Sequence, residues 1–251
     1  MIALVRAEFI KLRTTQVWFW LLLAILAISA AITIGACASH NSIQNSHDFA
    51  ELIMASQIAF IVVFVLGILG VTTEFRYQTI TPTVLATPSR WALVTAKMIT
   101  YTILGAAYAL ASLAIQLAIA VPWLRAKGVD FSLSESQVPR AMILVFCVVA
   151  IYGIVGLGWG ALLRNQIVAV TVGIIFLLAI QHLILAIPGL KHIYPYLPDG
   201  ATQAILHLHG DDTSFNGVTL LQLPAGFIVL LLWAFIPAIL GAGITMNRDI
   251  T

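Results

Sequence analysis

Few residues in this sequence are equipped for chemistry, and they are scattered. His207 and His209, followed by Asp211 and Asp212, form the one run with a spacing that suits a metal. Histidines and aspartates in a polar loop usually just face water, so the pattern is weak. Gln57, Tyr101, Tyr108, Gln116, Gln181 and His182 stand inside apolar stretches. Ionisable groups in such surroundings are functional candidates by default, and of these residues only His182 qualifies. It sits toward one end of its stretch, where a hydrogen-bonded structural histidine is the favoured reading. Lys11, Lys97, Lys127 and Lys191 do not follow a glycine, so no G-x-x-x-x-G-K-[ST] loop is present to cradle a nucleotide phosphate. Neither H-E-x-x-H nor G-x-S-x-G occurs. Cys37 and Cys147 stand alone in apolar runs and give neither a disulfide framework nor a zinc site. No catalytic residue, metal site or cofactor site is expected in this chain.

The elements that hold these residues follow from composition. Of 251 residues, 61% are hydrophobic and 9% charged. A soluble domain is about 25% charged. This chain cannot cover a water-facing surface, which excludes a soluble enzyme and a nucleic-acid binder. Disorder is excluded too, since it requires low hydrophobicity. A helix crosses a bilayer with about 20 apolar residues. Six runs qualify: 17–37, 52–71, 96–121, 141–163, 167–187 and 223–245. They are continuous rather than alternating, which predicts helices, not barrel strands. The fold class is therefore an all-α polytopic membrane protein, with 1–251 forming one transmembrane domain. With the N-terminus inside, the inner segments hold eight Lys and Arg against four outside. By the positive-inside rule both termini face the cytoplasm. Ala36-Cys37-Ala38 looks like a cleavage site, but its apolar run is too long for a signal peptide.

Three connections carry most of the polar residues. Residues 1–14 place Ile2, Val5, Phe9 and Leu12 on one stripe, with Arg6, Glu8, Lys11 and Arg13 elsewhere, as in a helix lying on a membrane surface. The inner loop 72–90 is rich in Thr, with Glu74, Arg76 and Arg90 and the aromatics Phe75 and Tyr77. There Thr72 or Thr73 is expected to cap a short helix that Pro88 ends, and Ser89 to cap the next. The outer segment 188–222 is expected to fold into one or two short helices dipping back toward the membrane, with Asp199 as a cap. Gly153, Gly156 and Gly160, three and four apart, predict a face that lets a second helix approach closely.

The order of these features resembles the six-span membrane subunits of ABC exporters, the ABC-2 type permeases. Glu8-Phe9-x-Lys11-Leu12-Arg13 before Trp18 looks like their amphipathic interfacial helix, with Phe9, Lys11 and Arg13 its residues of interest. Glu74-Phe75-Arg76-Tyr77-Gln78-Thr79-Ile80, then Thr87-Pro88-Ser89-Arg90 and Ala96-Lys97, is similar to their coupling region; Arg248-Asp249 matches the usual tail. The family has glycine where this chain has Gln78, so a different turn is expected there. The resemblance implies a permease that pairs with a second six-span subunit, identical or related, and with two ABC ATPase subunits. Those subunits, not this chain, would bind ATP and magnesium. Glu74, Phe75, Arg76, Tyr77, Thr79 and Ile80 would dock on the ATPase, while Gln57 and His182 are candidates for the translocation path. The implied location is the cytoplasmic membrane of a bacterial cell, in contact with lipid, and the implied cargo an amphipathic or apolar substrate moved outward. The competing class is a secondary transporter or a non-transporting subunit such as an immunity or sensor component.

Overall fold

Among the described residues, six helices are long and apolar enough to span a bilayer, covering Val17–Ala38, Ser46–Arg76, Trp91–Ala126, Gln137–Leu163, Gln166–Ala186 and Leu223–Gly241. The computed structural model describes residues 1–39, 43, 45–55, 59–79, 90–129, 137–206 and 214–247. Gln57, Ile80, Pro88, Ser89, His207, His209, Asp211, Asp212, Arg248 and Asp249 lie outside them. In chain order the helices are α1 (Ile2–Thr14), α2 (Val17–Ala38), α3 (Ser46–Ala55), α4 (Phe60–Arg76), α5 (Arg90–Ala126) and α6 (Gln137–Leu163). The fifth span is composite: α7 (Gln166–Ile175), a π-helical turn (Phe176–Ile180) and α8 (Gln181–Ala186). A 3₁₀ turn (Lys191–Tyr196), α9 (Pro198–Leu206), the strands β1 (Ser214–Phe215) and β2 (Val218–Thr219), and α10 (Leu223–Asn247) complete the chain.

Helix α6 is the hub, with α3, α4, α5, α9 and α10 all packed on it. Its glycines explain the closeness. A Cβ on Gly156 would lie 2.0 Å from the Phe64 carbonyl oxygen, and one on Gly153 2.6 Å from that of Tyr101. Gly67 answers from α4, where a Cβ would sit 2.2 Å from the Gly153 carbonyl. Backbone meets backbone here, the geometry small residues permit between membrane helices. Phe60 stacks on Tyr152 at 4.1 Å beside this seam.

Two local expectations, the caps at Thr72 or Thr73 and at Asp199, are corrected, and two others gain detail. Thr72 and Thr73 cap nothing, because α4 runs on through Arg76. Their hydroxyls donate to the carbonyls of Ile68 (2.9 Å) and Leu69 (2.6 Å), four residues back, which satisfies them inside a helix. In α1 the inward residue is Glu8, while Ile2 is 87% exposed. In the outer segment a β-hairpin joins the short helices, turning at Asn216 and Gly217, both at positive φ. That Asn-Gly pair is a strong short-range hairpin signal. Asp199 lies within the first turn of α9 rather than before it.

The turn after α4 also departs from expectation. Thr79 N–H donates to the Glu74 carbonyl (3.0 Å) and Gln78 N–H to that of Phe75 (3.3 Å), the paired bonds of a Schellman ending. The residue in the left-handed position is Gln78, at φ 54°. Helix α5 ends the same way with Gly128 at φ 73°. Glutamine thus takes the conformation a glycine would take, and the turn is kept.

Candidate functional site: a charge cluster at one end of the bundle

Helix α1 packs on α5, and α4 ends beside both. At that meeting point four charged side chains close into one cluster. Lys97 Nζ donates to Glu8 Oε2 and Glu74 Oε1, each at 2.8 Å, and to the Gly70 carbonyl at 3.3 Å. Lys11 Nζ donates to Glu8 Oε1 at 2.9 Å and Glu74 Oε1 at 2.8 Å. Glu8, Glu74 and Lys97 are only 4%, 6% and 7% exposed at the side chain. The ammonium of Lys97 has three donors and all three are used. Two positive and two negative charges cancel, which is the condition for keeping them away from water.

Electrostatics outside the spans follow from this arrangement. Burial pushes the Glu8 carboxyl up, but Lys97 and Lys11 outweigh it and hold the group below its ordinary value. Burial likewise pushes Lys11 down, and Glu74 and Glu8 more than restore it, leaving it raised.

Of the residues singled out from sequence, Lys11 and Glu74 meet in this cluster. Phe75 is half-buried with Arg164 over its ring at 5.8 Å, and Arg76 donates to Gln166 at 3.2 Å. Tyr77 is 66% exposed and Thr79 exposed, while Phe9 is half-buried and Arg13 exposed. Glu8 and Lys97 were missed as site residues. The available signals were the three-residue spacing of Glu8 and Lys11, and the position of Lys97 just inside an apolar run, where a charge demands a partner.

At the other end of the bundle His182 is 60% exposed at the side chain, its Nε2 4.0 Å from Asp199 Oδ2. Its neighbour Gln181 is the buried residue; its Oε1 accepts from the Asp199 N–H at 2.8 Å. Tyr194 donates to Asp199 Oδ2 at 2.7 Å, and Tyr152 and Thr202 share a hydrogen bond of 3.1 Å. These contacts fasten α9 and the 3₁₀ turn onto α6 and α8.

Six apolar spans, two of whose ends are tied to the helix α1 by a charge-neutral polar knot, define a polytopic α-helical membrane protein. The model for ABC-2 family transporter proteins matches residues 4–181, well over half the chain. The chain therefore belongs to the ABC-2 transporter family, and it is a membrane permease of an ABC transporter that works with an ABC ATPase. No curated protein matches it.

Proposed function

We propose that this permease is one of two six-span subunits of an exporter, identical or related, served by two separate ATPase subunits that bind ATP and magnesium. It carries an amphipathic or apolar substrate outward, and both of its termini lie in the cytoplasm. The observation that carries this reading is the four-charge cluster. Tyr77 and Thr79 stand exposed just before 80–89, the segment expected to complete the ATPase contact. A displacement of that segment reaches α1 and α5 through Glu74, because close ion pairs leave no slack between the three elements. Packed elements switch between discrete arrangements rather than deforming smoothly, so such a push moves α1 and the span ends together.

The test is reconstitution. The chain alone in proteoliposomes is expected to hydrolyse no ATP. Reconstituted with an ABC ATPase subunit that co-purifies with it, it is expected to hydrolyse ATP and to move substrate to the opposite face. Hydrolysis by the isolated chain, or substrate movement driven by a proton gradient without ATP, overturns the proposal.

A further inference from the structure

A cleft of about 200 Å³ opens beside the charge cluster, between the α1–α2 corner and the end of α4. Its walls divide by chemistry. Leu66, Leu69, Val17 and Trp18 form an apolar side, while Lys11 and Arg76 stand on the polar side. Lys11 spends two of its three N–H donors on Glu8 and Glu74, and its side chain is 45% exposed, so the third points to what lies outside. Arg76 is exposed, lies over the Tyr77 ring at 5.6 Å, and gives one N–H to Gln166. The carboxylates in the lining are already balanced by Lys11 and Lys97, so Arg76 leaves one surplus positive charge at the rim. An apolar wall under a cationic rim, where a surface helix turns into the first span, is complementary to an amphiphile with an anionic head.

We propose that this cleft holds an anionic phospholipid of the surrounding leaflet. Its phosphate oxygens accept from Lys11 Nζ and the Arg76 guanidinium, and an acyl chain lies along Leu66, Leu69 and Trp18. The apolar wall selects a lipid over a free phosphate, and the surplus charge selects a net negative head over a zwitterionic one. The site depends on neither the direction of transport nor the identity of the substrate.

The experiment uses the full chain in nanodiscs and reads quenching of Trp18 by phospholipids with brominated acyl chains. The chain has six tryptophans, so the Trp18 signal is the difference from Trp18→Phe. Brominated phosphatidylglycerol is expected to quench Trp18 at a mole fraction on the order of fivefold lower than brominated phosphatidylcholine, the preference one cation confers. Arg76→Gln is expected to bring the two lipids close to parity and Arg76→Lys to keep most of the preference. Equal quenching by both lipids in the wild type overturns the proposal, as does an unchanged preference in Arg76→Gln. Release of the quenching by millimolar inorganic phosphate also overturns it, because the site would then take a soluble anion. If Arg76→Gln fails to fold, mass spectrometry of the wild type decides: phosphatidylglycerol retained through detergent washing supports the site, and its loss refutes it.

Discussion

Lys97 keeps its charge away from water only because two carboxylates and a carbonyl take all three of its protons. Removing one partner strands a buried charge, which costs about 3–5 kcal/mol. Glu74→Ala is therefore expected to lower the thermal unfolding midpoint of the permease itself, besides weakening coupling to the ATPase. Replacing both Glu74 and Lys97 by Met leaves Glu8 and Lys11 as a balanced pair. That double variant is expected to unfold at a higher temperature than either single one; strict additivity of the two losses would show that the pair is not coupled. The cluster also sets a pH window. Glu8, lowered from its ordinary 4.5, contributes stability that is complete above that value and is lost as pH falls through the lowered one. Lys11, raised from 10.5, contributes stability that is complete below 10.5 and is lost as pH rises through the raised value. Unfolding midpoints measured across pH should be flat between the two limits and fall outside them.

Between elements, the limiting feature is the backbone contact of α4 with α6. Gly156→Ala puts a methyl 2.0 Å from a carbonyl oxygen that belongs to backbone and cannot turn aside. The helices must part, and overpacking of this kind typically costs about 1–3 kcal/mol or more. Among the described residues nothing lies within 4 Å of a Cβ at Gly35, in α2, so Gly35→Ala is expected to be neutral or stabilising. Equal unfolding midpoints for the two variants would remove the seam from the account. The end of α4 gives the opposite sign. Gln78 holds a left-handed conformation that costs a side-chain-bearing residue about 1–2 kcal/mol. Gln78→Gly is expected to raise the midpoint, and Gly128→Ala, at the matching position of α5, to lower it.

At the scale of the whole molecule, α1, the end of α4, the start of α5 and the start of α7 gather at one end. The last turns of α10 join them, since Gly241 packs on Ala161 near the end of α6. Helix α1 and the end of α10 therefore lie at the same end, as an even number of crossings requires. The lysine and arginine bias predicts that this end is cytoplasmic. In a background where Cys37 and Cys147 are replaced by alanine, a membrane-impermeant thiol reagent added to cells should label Thr213→Cys and spare Thr83→Cys. The reverse pattern would invert the orientation and the direction of every step proposed above.

The six spans were legible because crossing a bilayer is a one-dimensional demand: each needs its own length of apolar residues, whatever its neighbours do. The glycine spacing on α6 was legible for a similar reason, since three- and four-residue steps share a face on any helix. Charge counting located the polar end of the bundle but treated Glu8, Lys11, Glu74 and Lys97 as separate surface charges. Their pairing depends on which helix ends meet, and the residues are separated by up to 89 positions along the chain. Glu8 faces inward against the apolar stripe of its own helix because Lys97, on another helix, needs a second carboxylate. Thr72 and Thr73 read as caps in isolation, yet in a helix that continues they bond back to the preceding turn. The π-helical turn that precedes buried Gln181 left no mark in composition or periodicity. Sequence alone determined a six-span helical permease; the tertiary structure decided that its polar residues form a neutral internal knot, because only close approach in space makes a buried charge tolerable.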